Sequence, residues 1–583
     1  MPVCTARERL TLGPDYCGPA KMPVCSDSEP GSCAHWRARA MLVRDAFSDA
    51  FSAYEAHAWG KDELRPLSNT SRDNWGGFAV TMVDSLDTML LMGLNAPYER
   101  SRRWLLDHLP SRLERDIEVP FFELSIRVLG GLLGAHTLTG DAELLALAAR
   151  AGRKLHRAFD SPSGVPWCSV HLTSGAGSCP QSDFGESVPL AELGTTQLEF
   201  AALAAALGEP RFADVADGAI GALRRIPARR GLYPTRVRPR TASPASRAVG
   251  LGAGADSFYE ALLKRWLQSG GAEPRPLRMY RAALGGLTDL VRRSAPSGLL
   301  FVGSEDLGEV GMPPAVRMRS GLQHDHLQCF LPGLLALGAP HGGAALNESA
   351  TWALARGLLD TCWTLYSRQP SGLGPERVVF STEESRAAAG RHDAERAALE
   401  QRARARRAGG GAPPRGADDI ALGLGPKPAS ALVEDDDFRV LDAQWPLRPE
   451  FVESLYVMWR LEPDASRRNE YRERGWAVFE ALERWAKVEA GGAYASLLAV
   501  DVASPRQHNV LESFFFAETL KYLFLLFSDA DALPYDLSGL ILTTEAHFVP
   551  AAPLRPGAAD DADGSDQDDA PVGVERWPKW WRE

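Results

Sequence analysis

The chain is 583 residues long, with 45% apolar and 24% charged residues, the make-up of an ordinary globular protein with room for a large core. Its formal net charge of −11 owes much to six aspartates between Asp560 and Asp569, and no basic stripe is present, which argues against a nucleic-acid partner. No run approaches the ~18 apolar residues needed to span a bilayer, so no transmembrane segment is expected.

The opening, Met1-Pro-Val-Cys4, lacks the apolar core of a signal peptide. Residues 1–35 read as an extension holding Cys4, Cys17, Cys25 and Cys33. The Lys-Asp-Glu-Leu at 61–64 is internal and has no meaning as a retention signal. The eight cysteines are even in number and contain no Cys-x-x-Cys pair. They predict disulfides in an oxidising compartment in preference to zinc or redox chemistry, with the pairing of the N-terminal four and of Cys168 and Cys179 left open. The sequons at Asn69 and Asn347 agree with a secretory route.

From residue 86 onward one unit recurs: an apolar helix, a polar turn, then an amphipathic helix. The first is 86–94, turn Asn95-Ala-Pro97, and 98–109. Next come 126–138, turn Thr139-Gly-Asp141, and 142–159; then 197–207, turn Gly208-Glu-Pro210, and 212–226. Later, 452–461 leads through Glu462-Pro-Asp464 into 467–485, and 511–527 closes the series. The turns hold residues that stop helices and cap new ones. A helix apolar on all sides must be buried, whereas its striped partner can face water. Repetition of the pair predicts an all-α barrel of inner and outer helices over 36–550, without a sheet. Two segments break the pattern: a low-complexity insertion at 382–436 and an acidic, Pro-rich tail at 551–583.

Carboxylates recur on the apolar helices, where an unpaired one costs several kcal/mol. Glu123 precedes Arg127 by four residues; Glu192 and Glu199 are seven apart; Asp256 and Glu260 are four apart. Glu450 and Glu453 follow Arg448-Pro449, and Glu512 and Glu518 flank an aromatic run. Each has an ordinary alternative: Glu123–Arg127 as a surface pair, first-turn acids serving the helix dipole, Glu518 paired with Lys521. Together, near the starts of helices, they predict a carboxylate-lined cavity at one end of the barrel. Such a cavity suits a sugar and an oxygen-ligated divalent cation. It also supplies the two carboxyl groups that glycoside hydrolysis needs, though spacing alone does not choose the pair.

At these residues the chain resembles the class I α-1,2-mannosidases, glycoside hydrolase family 47. The matching blocks include Val83-Asp-Ser-Leu-Asp-Thr88, Phe122-Glu-Leu-Ser-Ile-Arg127, Gln197-Leu-Glu-Phe200, Ala255-Asp-Ser-Phe-Tyr259 and Asp325-His-Leu-Gln-Cys-Phe330. Gly374-Pro-Glu376, Leu447-Arg-Pro-Glu-Phe-Val-Glu-Ser454, Glu512-Ser-Phe-Phe515, Ala517-Glu-Thr-Leu-Lys521 and Thr544-Glu-Ala-His547 follow in family order. The resemblance implies an (α/α)7 barrel with one Ca2+ bound by the hydroxyl and carbonyl of Thr544. It implies hydrolysis with inversion, the two carboxylates about 6.5–9.5 Å apart. By position, Glu123 matches the general acid, Glu450 the base that activates water, and Asp256 a third carboxylate whose share is unsettled. Arg127, Arg448, Glu453, Glu518 and Glu545 match residues that shape the sugar and calcium subsites. Phe514 either stacks on the sugar face or belongs to the core, and Cys329 and Cys362 match a disulfide. The implied substrates are high-mannose N-glycans on glycoproteins in the lumen of the endoplasmic reticulum or Golgi, or outside the cell, and a monomer is expected. Residues 74–80 and Gln444-Trp445-Pro446 depart from the family pattern. The rival readings are a mannose-glycan-binding quality-control factor without efficient cleavage and a helical-repeat scaffold.

Overall fold

The computed structural model describes residues 33–306, 321–343, 346–387, 436–489, 491–529 and 533–555. Cys4, Cys17, Cys25, nearly all of the 382–436 insertion and all but the first residues of the 551–583 tail lie outside the described residues.

Fourteen of the helices form seven pairs among the described residues. In chain order they are α1 (Cys33–His57), α2 (Leu86–Leu91), α3 (Asn95–Arg112), α4 (Gly130–Thr139), α5 (Ala142–Leu155), α6 (Gln197–Leu207) and α7 (Arg211–Ala222). They continue with α8 (Asp256–Gln268), α9 (Pro274–Leu290), α10 (Leu331–Gly338), α11 (Glu348–Ser367), α12 (Glu450–Leu461), α13 (Ala465–Trp485) and α14 (Leu520–Phe527). Burial separates two rings. The inner helix α8 is buried at 12 of 13 residues and α14 at all eight, whereas the outer α13 is buried at seven of 21. The even-numbered helices form the inner ring and the odd-numbered ones the outer ring of an (α/α)7 barrel. Each fully buried Leu or Phe of the inner ring contributes about 1.5–3 kcal/mol.

Local sequence sets the joints. Gly140 at φ 70° ends α4, and Asp141 accepts from the amides of Glu143 and Leu144 to begin α5. Gly208 at φ 65° ends α6, and the Asp464 side chain caps α13. The expected turn at Asn95-Ala-Pro97 is a correction: these residues are the first turn of α3, where proline is tolerated, and the chain reverses before them at Gly93. The ring closes through α1, which is the outer partner of α14. Trp36 stacks on Phe527 at 5.7 Å between centroids, and Phe47 meets Phe516 edge-to-face at 5.3 Å. An apolar seam of Tyr259, Tyr280, Leu284, Leu331 and Leu335 joins α8 and α9 to α10.

The expectation of no sheet is also corrected. Among the described residues, eight small antiparallel sheets, none above three strands, accompany the helices. One hairpin, Leu540–Leu542 paired with Phe548–Pro550, runs inside the barrel. It enters at the C-terminal ends of the inner helices, where Ala552 N donates to Gln268 O (3.0 Å) and Arg555 N to Gly270 O (3.0 Å). Among the described residues there are two disulfides: Cys168–Cys179, within the connection from α5 to α6, and Cys329–Cys362, which ties the turn before α10 to α11. Asn69 and Asn347 are exposed. No helix among the described residues is long and apolar enough to cross a membrane.

Candidate active site

The hairpin tip, 543–547, reaches the N-terminal half of α4 and is almost wholly buried. Ala546 takes φ 57° to make the turn. Glycines make room for it: a Cβ on Gly130 would lie 2.8 Å from His547 Cδ2, and one on Gly134 2.7 Å from Asp87 Oδ2. His547 is gripped on both ring nitrogens, by Asp87 Oδ2 at 3.2 Å and Asp84 Oδ1 at 3.3 Å. Lys521 donates to Asp87 Oδ1 at 2.9 Å and to the Ala546 carbonyl at 2.5 Å. Burial alone would lower the His547 pKa, but the two aspartates push it up to about 9, so the tip is held by an imidazolium and an ammonium. The ordinary alternative for Glu518, a pair with Lys521, is not what the structure shows: Lys521 turns to the hairpin and Asp87.

Around this tip stand two walls. On the first, Arg127 Nε donates to Glu123 Oε2 at 2.8 Å, and its Nη1 binds Glu545 and lies 3.6 Å from Asp84 Oδ2. Both residues belong to a distorted entry into α4: Glu123 ends the single turn Phe121–Glu123, and Arg127 lies in a π-helical segment, Leu124–Leu129. Glu518 lies in a second π segment, Phe515–Thr519, before α14. Such insertions re-aim side chains and concentrate at functional sites.

On the second wall Glu450 is the first residue of α12. His326 Nδ1 lies 2.8 Å from its Oε2, His326 Nε2 lies 2.7 Å from the Tyr366 hydroxyl, and Arg448 Nη1 is 3.9 Å from its Oε1. Arg448 is clamped by both oxygens of Glu376, at 3.0 and 2.6 Å. Leu447, just before it, is held at φ 65°, a strained position for a branched residue. In the segment Gln444-Trp445-Pro446, Gln444 O receives the Glu376 amide, and the Trp445 side chain is core. Phe514 lies between the walls, with the guanidiniums of Arg127 and Arg448 each 5.7 Å from its ring centroid.

Below lies a ring of buried acids. Glu260 pairs with Lys264, which is 3.8 Å from Glu453, and Tyr522 donates to Glu453 at 3.3 Å. Both carboxylate oxygens of Glu199 are buried without a hydrogen-bond partner. Thr544 is half-buried at the hairpin tip, next to Glu545. Burial, then the neighbouring acids, pushes the Glu453 carboxyl up to about 8. Burial likewise raises Glu199 and Glu545 to about 8, and Glu518 well above the usual range. Asp256, first residue of α8, is pushed up to about 7 by burial and by the charges of Glu450 and Glu260. Glu450 goes the other way: burial would raise it, but the His326 contact and Arg448 hold it below its usual value. Two carboxyls whose environments drive them apart is the arrangement of an acid–base pair.

Residues 46–551 match the model of glycosyl hydrolase family 47. The chain belongs to this family. It is 35% identical over 556 residues to a mannosyl-oligosaccharide 1,2-alpha-mannosidase of Arabidopsis thaliana, covering 90% of this chain and 80% of that protein. It is 35% identical over 536 residues to the human endoplasmic reticulum mannosyl-oligosaccharide 1,2-alpha-mannosidase, covering 91% of this chain and 67% of that one. Among solved structures it superposes on the alpha-1,2-mannosidase from Trichoderma reesei with a TM-score of 0.71 at 25% identity, covering 88% of this chain and 99% of the other.

Several residues of this family member's cavity were not singled out from sequence. Asp84 and Asp87 are two acids three apart in an apolar run, which is the same signal that exposed the other carboxylates. Lys264, four residues after Glu260, gave an equal signal. His326 gave none, because its partner Glu450 is 124 residues away.

Proposed function

We propose that this protein is an inverting exo-α-1,2-mannosidase that trims terminal mannose from high-mannose N-glycans in the secretory lumen. The single observation that carries the reading is the placing of two carboxylates on either side of Phe514: Glu123 held by Arg127, and Glu450 held by His326 and Arg448, both guanidiniums lying 5.7 Å from the Phe514 ring. A base must be charged to accept the proton of the attacking water, and Glu450 is kept charged by His326 and Arg448. Glu123, across Phe514 and partly open to the cavity, serves as the acid toward the leaving oxygen, with Arg127 orienting it. Asp256, pushed up to about 7, can exchange a proton near neutrality and is a third carboxylate able to share the acid or the base role. Arg127, Arg448 and Phe514 position the ring, and Glu453, Glu518 and Glu545 face its hydroxyls.

The acids of the floor fit calcium. Their donors are oxygen only, the carboxylate of Glu199 is buried with both oxygens unpartnered, and the crowding of like charges calls for a cation. Thr544, through hydroxyl and carbonyl, would hold the ion, with water held by Glu199, Glu260, Glu453 and Glu518. When bound, the ion supplies a fixed positive charge that orients sugar hydroxyls. The relatives named for mannosyl-oligosaccharides and for the endoplasmic reticulum support the substrate and the lumenal location.

The purified protein should release mannose from a nine-mannose N-glycan, and a chelator should stop the release. Glu450→Gln should abolish turnover while glycan binding survives; retained turnover would remove Glu450 from its role.

A further inference from the structure

Residues 74–80, one of the two segments that the sequence reading set apart from the family pattern, stand against the first wall of the cavity. Trp75 is half-buried there, and two buried carboxylates fix it. Its Nε1 donates to Glu63 Oε1 at 3.1 Å, and its amide donates to Asp62 Oδ2 at 2.9 Å. Asp62 also receives the amides of Gly77 at 2.7 Å and Phe78 at 2.6 Å, so the loop behind the indole is rigid. The Trp75 ring lies 5.5 Å from the Arg127 guanidinium, the group that holds Glu123.

Glu63 extends the patch. Its Oε2 accepts from Arg72 Nε at 2.6 Å, and Arg72 Nη2 reaches Glu512 Oε1 at 3.4 Å. Asp62 and Glu63 are sealed at 0% exposure, yet the side chains of Arg72 and Glu512 keep 25% and 21%, close to the 24% of Glu123 itself. Trp75 flanks the Arg127 that holds Glu123, and through Glu63 the indole is linked to a half-exposed guanidinium and carboxylate, Arg72 and Glu512, the latter close enough to Arg448 to act on its charge. A pyranose is bound by such a set: the ring stacks on its C–H face, and charged forks take vicinal hydroxyls. None of the roles assigned above uses Trp75, Arg72 or Glu512. Their side of the cavity is set by Glu123, because the sugar that leaves must lie on the side of the acid that protonates its oxygen.

We infer that Trp75, Arg72 and Glu512 form a binding subsite for a mannose of the leaving glycan. The inference rests on the proposed role of Glu123. In steady-state kinetics on the nine-mannose glycan, Trp75→Ala should raise KM about tenfold, the loss of one aromatic–sugar contact, with a smaller fall in kcat. Trp75→Phe should restore most of the affinity, and Glu512→Gln should raise KM about threefold. Inhibition by a mannose-sized iminosugar, which fills only the cleaved-sugar position, should stay within about twofold of wild type in all three. That control also reports folding. An unchanged KM for both Trp75→Ala and Glu512→Gln overturns the subsite. A loss of iminosugar affinity in step with KM also overturns it, since Trp75 would then act only by propping Arg127. Absence of mannose release by the wild-type protein would strike the hydrolase reading instead. Calorimetric binding of the same glycan would still decide the subsite, a Kd unmoved by the two substitutions counting against it.

Discussion

Glu450 is kept charged by one neighbour more than by any other, and that dependence can be measured. Burial raises its pKa; the His326 contact is the largest opposing influence, ahead of Arg448. A base works only while ionised, so activity should be present above the Glu450 pKa and lost as pH falls through it. His326→Ala removes the contact and should move the acidic limb of the kcat/KM–pH profile to higher pH, with kcat at neutral pH falling about tenfold or more. The alkaline limb reports proton-bearing groups. If the Asp256 proton is used, activity declines as pH rises through about 7, and Asp256→Asn should flatten that limb. An acidic limb unmoved by His326→Ala would remove His326 from the tuning of the base. At this scale the sequence was informative wherever a charge sat on an apolar helix, as at Glu123, Asp256 and Glu453. The charge pattern was silent for His326, the first residue of a short helix, and for Glu376, on a connection, because both act on residues remote in the chain.

Among elements, the hairpin matters most, and it is held by charge more than by strand pairing. Three residue pairs of ladder would be marginal alone. Lys521 and His547, both fully buried, fasten its tip to Asp84 and Asp87. Lys521→Met leaves Asp87 buried with one cationic partner fewer and should cost about 3–5 kcal/mol in chemical denaturation. Because the tip presents Thr544 and Glu545, calcium affinity measured by titration should weaken as well. Unchanged affinity would mean that the tip holds its shape without the clamp. The clamp has a pH sign. The His547 pKa is raised to about 9 in the fold, so its contribution is complete below the unfolded value and fades as pH rises through about 9. Neither the hairpin nor the other short strands were visible beforehand. Strands of two or three residues carry no readable alternation, whereas the helical pairs announced themselves through apolar runs ended by Gly140, Gly208 and Glu462.

On the scale of the molecule, the barrel is a ring, and a ring is only as stable as its last joint. Six outer helices follow their inner partners directly along the chain; the seventh, α1, comes first and must find α14 more than 460 residues later. That joint is aromatic. Trp36 is buried at 2% exposure, stacked on Phe527, with the Arg39 and Arg472 guanidiniums 4.7 and 5.0 Å from its ring. Arg472 in turn donates to the Leu526 carbonyl at 2.8 Å, beside the end of α14. The sequence foretold the repeating pair, but not this closure, because nothing in the first helix names a partner so distant. Trp36→Ala removes the ring and leaves a cavity, a loss of about 3–5 kcal/mol. None of the wall residues touches Trp36, so at low temperature the variant should keep the wild-type KM for the glycan. Its thermal midpoint should fall, and activity should vanish in the same transition as the helical signal, since the two walls stand on opposite sides of the ring that opens. Two separate transitions, with α14 melting while mannose release persists, would show that the cavity does not depend on closure.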